Sequence, residues 1–182
     1  MSLDLRWLAS AAAVFSATTP QCIAAQYMTI EQARGMIFGQ AQEFVASPIT
    51  LTPEQIQRIE AASGIRTRTP QQQIWQAKAG GKLLGWFIVD QVVGKHELIT
   101  YGVGINADGS VRQFQVIDYR EAYGYQIRDL KWRDQFVGKT INDPLAVGTD
   151  IANISGGTMS SRHVTDGIKR LLHLHQLVLR GG

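Results

Sequence analysis

LLGWFIVDQVV (83–93), LITYGVGI (98–105) and VRQFQVIDY (111–119) succeed one another across two short turns, GKHE (94–97) and one centred on ADG (107–109). Runs rich in Val, Ile, Phe and Tyr, punctuated by Gly, Asp and Asn, predict strands joined as hairpins. Upstream, residues 74–79 and Gly80-Gly81 add a fourth strand, paired with 83–93. In the last run Val111, Gln113, Gln115 and Ile117 alternate with Arg112, Phe114, Val116 and Asp118, so neither face is purely apolar. That pattern predicts a central strand with helices on one face and solvent or a ligand partly on the other.

Outside the strands the period changes to that of helices. Over 29–45, Ile30, Ala33, Ile37 and Ala41 share a face, with Thr29 as N-cap and Gln32 completing a capping box. Thr52-Pro53-Glu54 starts a second helix with Gln55 in its box; Ile56 and Ile59 face inward and Gly64 ends it. Residues 67–72, carrying Pro70, read as a connection. Beyond the strands, 121–127 is irregular, 129–136 a short helix closed by Gly138, and 140–153 a connection with Pro144 and Gly148. Residues 160–179 carry the clearest helical stripe, Val164, Ile168, Leu171, Leu172, Val178 and Leu179. The expected fold is α+β: one domain in which an antiparallel meander packs on helices.

Composition narrows the function. The chain has 182 residues, 45% of them hydrophobic and 18% charged, and a formal net charge of +3. Its basic residues form no run, and the pairs Arg66/Arg68 and Arg128/Lys131 read as solvated surface, so a nucleic-acid partner is not expected. Residues 1–6 and the apolar run 7–17, followed by polar 18–21 and by Ala24 and Ala25, predict a signal peptide over 1–25 and a periplasmic or otherwise exported protein. The apolar run is about half as long as a membrane helix requires. Pro20 and Gln21 before Cys22 argue against a lipid anchor, and cleavage after Ala24 or Ala25 removes the single cysteine. Redox chemistry in the mature chain then needs an organic cofactor other than haem.

The stretch that carries chemistry is Ser155-Gly156-Gly157-Thr158-Met159-Ser160-Ser161, directly before the last helix. Two glycines let the backbone approach a ligand closely, hydroxyls cluster, and a helix start offers unpaired N–H groups with a partial positive charge. Together these make a phosphate site. A Gly-rich turn followed by a Ser N-cap accounts for the same residues without a ligand. Ser155-Gly156-Gly157-Thr158 with Ser160-Ser161 resembles the S-G-A-T-x-[ST] signature of the FMN-binding domain family. Four further stretches resemble the family in order. They are Gly85 to Asp90 with Gly94-Lys95-His96, Ile99 to Ile105 with Asp108-Gly109, Arg120 to Tyr125, and Trp132 with Phe136, Gly138 and Lys139. The likeness spans roughly 74–172.

The resemblance implies an FMN-binding domain over 71–182, which leaves an N-terminal helical segment over 26–70 behind the signal peptide. It implies FMN as cofactor, held by Ser155, Gly156, Gly157, Thr158, Ser160, Ser161 and Glu121, with the phosphate joined to Thr158 by a flavin transferase or bound without a covalent bond. Membrane redox proteins are the implied electron donors or acceptors. The chain is expected to relay electrons as a carrier or subunit, with no catalytic residue and no metal site of its own. Two departures bear on attachment. Gly157 stands where the family usually has Ala, which is expected to loosen the turn, and Ala152 stands where an acidic residue is common, with Asp150 two residues away. Glu121 either lines the isoalloxazine or is a solvated carboxylate, and Tyr123 and Tyr125 either stack on it or pack. His163 either assists the phosphate or lies on the surface. His173 and His175 point about 200° apart around a helix and do not chelate one ion together. The competing readings are a cofactor-free interaction or regulatory module of the same fold, and an enzyme using Thr158 or a Ser as nucleophile, for which no base is placed.

Overall fold

The computed structural model describes residues 25–180, so Cys22 and all but the last residue of the expected signal segment lie outside the described residues. The elements run β1 (Ala25–Gln26), α1 (Ile30–Ile37), β2 (Glu43–Ala46), β3 (Ile49–Thr50), α2 (Pro53–Ser63), β4 (Gln71–Ala79), β5 (Lys82–Val93), β6 (Leu98–Asn106), β7 (Val111–Tyr119), α3 (Leu130–Arg133) and α4 (Thr158–Leu174). A π-helical turn, His175–Leu179, continues α4. The described strands form one antiparallel sheet in the order β1-β7-β6-β5-β4-β2, with β3 also on β4. This is the expected α+β meander.

Both capping boxes form. Gln32 N donates to Thr29 Oγ1 at 3.1 Å and Thr29 N to Gln32 Oε1 at 2.8 Å. Thr52 and Gln55 repeat the pattern ahead of Pro53, and Gly64 closes α2 in the left-handed region. The helix expected over 29–45 stops at Ile37, because Phe38 leaves helical backbone and residues 43–46 pair with β4 instead. Phe44 and Val45 are better satisfied as strand residues, whatever face Ala41 suggested.

β7 lies next to the two-residue β1, not at the centre of the sheet, and it slips register against β6 twice. Tyr101 faces Val116 while Thr100 faces Asp118, and Gly104 faces Gln113 while Ile105 faces Val111. Ile117 and Arg112 are therefore the extra residues of two β-bulges, each of which resets the side-chain alternation. As a result Val111, Phe114, Val116 and Tyr119 all join the core under α4, while Ile117 turns to the other face.

That main core holds Trp86, Ile88, Tyr101, Val103 and Ile105 against Val164, Ile168, Leu171 and Leu172. On the opposite face α1 brings Ile37 and Phe38 onto Phe87 and Ile117. α1 can sit this low because β6 presents glycine there: a Cβ on Gly104 would overlap Ile37 Cγ2. α4 is fixed to the sheet by a buried ion pair, Arg170 Nη2 to Asp90 Oδ1 at 2.7 Å, while Tyr101 donates its hydroxyl to Asp90 Oδ2 at 2.5 Å. No helix among the described residues is long and apolar enough to cross a membrane.

Candidate functional site

The head of α4 is built from two chain segments that meet at glycines. Gly156 has φ 76°, a left-handed conformation that suits glycine, and Gly157 is the N-cap. Gly157 contributes no side-chain cap, so the helix leaves its first N–H groups without partners of its own. Thr158 is the first helical residue and is exposed, which starts the helix earlier than the stripe from residue 160 suggested. Ser160 and Ser161 lie inside the helix and are buried, so neither is an N-cap.

Opposite stands the segment after β7. A Cβ on Gly157 would overlap Gly124 Cα and lie 2.9 Å from Ile154 Cγ2. Glycine at 157 therefore tightens the turn by allowing backbone to touch backbone, in place of the loosening expected from sequence. The bulge at Ile117 turns Tyr119 inward, where its hydroxyl donates to Tyr123 O and sits 3.2 Å from Ser160 Oγ. Gly157→Ala is expected to push these segments apart at about 1–3 kcal/mol, the usual range for overpacking. Urea unfolding checks this; a stability equal to wild type would show that the approach relaxes freely.

A hollow of about 370 Å³ lies at this junction, lined by Lys95, His96, Glu121, Ala122, Tyr123 and residues 156–160. It falls within the roughly 300–1,000 Å³ range of small-molecule sites. The structure thus brings together Thr158, Gly156, Gly157, Ser160 and Glu121. Ser155 opens on the other side of the loop, into a hollow with Trp132, Ala152 and Asn153. Ser161 Oγ turns back to Thr158 O at 3.1 Å. Glu121 is a structural brace: its Oε1 accepts from His96 N at 2.5 Å and Glu97 N at 2.9 Å, fixing the turn after β5 as one wall. Burial opposes its charge, yet the N–H groups of Glu97, His96 and Lys95 outweigh that and hold its pKa below the usual carboxylate value.

Other candidates separate. Tyr123 lines the hollow and is 74% exposed, whereas Tyr125 is exposed outside it. His163 Nδ1 donates to Val93 O at 2.5 Å, which ties α4 to the end of β5 and away from the loop. His175 is buried edge-on to Trp86 with centroids 4.6 Å apart, and burial, with the Arg180 charge, lowers its pKa to about 4. Asp150 accepts from Ala146 N and Leu145 N and pairs with Lys139 at 2.9 Å, so its carboxylate holds the 145–150 turn. Ala152 acts through its backbone, receiving Trp132 Nε1 on its carbonyl at 2.7 Å. The residue pattern alone assigned no role to Tyr119, Gly124, Lys95 or His96. The motif Gly94-Lys95-His96 held a signal for the last two, but the bulge that aims Tyr119 has none in the sequence.

Residues 94–173 match the FMN-binding domain family. A component of the Na(+)-translocating ferredoxin:NAD(+) oxidoreductase complex of Acetobacterium woodii is 26% identical over 157 residues, covering 79% of this chain and 72% of that protein. The crystal structure of NqrC from Shewanella oneidensis shares the fold, with a TM-score of 0.52 at 18% identity over 78% of this chain and 86% of that one. The matched segment contains both walls of the hollow and the whole head of α4.

Proposed function

We propose, from the match of residues 94–173 to the FMN-binding domain family, that the chain is an exported electron-transfer flavoprotein carrying one FMN at the head of α4. The observation that carries this reading is the uncapped start of α4, with the exposed Thr158 hydroxyl at its first position beside the Lys95 and His96 wall. The donor set fits a phosphate: free N–H groups at a helix start, the positive end of its dipole and a lysine. Ser160, fixed by Tyr119, and the close-packed Gly157 and Gly124 hold these donors in place. When bound, FMN supplies the one- or two-electron transfer; the residues of this chain position it, limit water and tune its potential.

The finer reading is that a flavin transferase joins the phosphate to Thr158 Oγ1. Thr158 is exposed and so open to such an enzyme, and its hydroxyl precedes amides that stabilise charge on phosphorus. The membership of the Acetobacterium woodii relative in an oxidoreductase complex supports membrane redox proteins as partners. The test is co-production with a flavin transferase, followed by fluorescence of the denatured protein on a gel. A fluorescent band supports attachment, and flavin that leaves on denaturation supports non-covalent binding. Persistent absence of flavin from every preparation overturns the flavoprotein reading in favour of the cofactor-free module.

Export rests on the composition of residues 1–25. The mature protein is expected to begin near Ala25 or Gln26, where β1 starts. N-terminal sequencing of the exported protein checks this, and a cytoplasmic protein that retains residue 1 or 2 overturns it.

A further inference from the structure

We propose that the cavity between α2, β5 and the middle of α4 is a second ligand site, one that takes a small oxyanion bearing a carboxylate or phosphate. The cavity measures about 450 Å³ and shares no lining residue with the hollow at the head of α4. Its floor is the Arg170–Asp90 pair, whose side chains are 6% and 10% exposed. Only Nη2 of Arg170 is used in that pair; Nη1 is enclosed with no hydrogen-bond partner. The hydroxyl of Thr67, on the cavity wall, is likewise enclosed and unpartnered. Each such buried donor costs about 1–3 kcal/mol when left unmatched. An oxyanion in the cavity supplies the acceptors that both lack.

The rim matches the floor. Arg66 and Arg68 lie on the irregular stretch after Gly64, both exposed, and neither forms an ion pair among the described residues. The carboxylates facing the cavity are already engaged or weakened as competitors. Glu60 Oε1 accepts from Thr67 N at 2.6 Å, and Asp90 holds both Arg170 and Tyr101. Burial raises the pKa of Asp166 against the charges of His163, Arg162 and Lys169. Ile65 and Val92 supply apolar wall, so a short carbon skeleton is accommodated beside the charged groups. Three guanidinium groups from two segments thus surround a space large enough for a small ligand, the donor chemistry that recognises carboxylate and phosphate.

Calorimetric titration of the full chain, with whatever flavin it carries, tests the site using succinate and inorganic phosphate separately. A saturable event is expected, weakened about tenfold or more in the Arg66→Gln/Arg68→Gln variant, because both exposed charges that face the anion are lost; phosphate at a flavin-free head of α4 adds a second event that the variant leaves unchanged. Both substituted residues are exposed, and the circular dichroism and melting temperature of the variant are expected to match wild type. Saturation by succinate alone assigns the site to carboxylates, by phosphate alone to phosphates, and by both to oxyanions generally. No saturable heat with either probe overturns the proposal. Equal affinity in wild type and variant overturns it too, since the anion then binds elsewhere, the head of α4 included.

Discussion

Thr158→Val is expected to abolish the flavin fluorescence that survives denaturation in protein co-produced with a flavin transferase. Valine preserves the size and branching of threonine at the first position of α4 but removes the only atom of that side chain that can form the ester. The backbone N–H groups at the helix start remain, and so does the contact between Gly157 and Gly124, neither of which involves the Thr158 side chain. Weak, reversible FMN binding is therefore expected to persist, seen as flavin that co-purifies and then leaves on denaturation. Fluorescence retained by the denatured variant would move the attachment to another hydroxyl. Ser160 and Ser161 are poor substitutes, since both are buried and Ser160 Oγ is next to the Tyr119 hydroxyl.

The strands were legible in the sequence because each ends at a turn whose chemistry is local: Gly80-Gly81, Gly94 to Glu97 and Asp108-Gly109. The two capping boxes were legible for the same reason. What stayed concealed depends on residues far apart in the chain. Phe44 and Val45 join a strand because β4 offers them partners, and nothing between residues 29 and 45 encodes that. β7 looked mixed on both faces because a strict two-residue alternation was assumed, whereas bulges at Arg112 and Ile117 reset it twice. Once they are allowed for, Val111, Phe114, Val116 and Tyr119 form one apolar row. The glycine turn ahead of α4 was legible in residues 155–161, but the packing within it was not. Ser161 is an internal brace, and the need for glycine at 157 comes from Gly124, in a distant segment of the chain.

Asp90→Ala is expected to destabilise the protein by about 3–5 kcal/mol, the range for removing one partner of a buried ion pair. The substitution leaves the Arg170 guanidinium, 6% exposed and already missing a partner on Nη1, without its counter-charge. It also strips the acceptor from the Tyr101 hydroxyl, which is wholly buried and whose pKa is held well above the ordinary value by burial and by Asp90 itself. No neighbour can close over the gap cheaply, because Gly167 already lies so near that a Cβ there would overlap the Tyr101 hydroxyl. Asp90→Asn keeps an acceptor for Tyr101 while removing the charge, and is expected to cost less than Asp90→Ala. Urea unfolding of the two variants separates the terms. A loss below about 1 kcal/mol in Asp90→Ala would mean that water reaches the pair, as at surface salt bridges. The consequence reaches function through α4. Arg170 fixes the middle of the helix whose first turn is the proposed phosphate site, so weaker flavin retention in Asp90→Ala is expected alongside the lost stability.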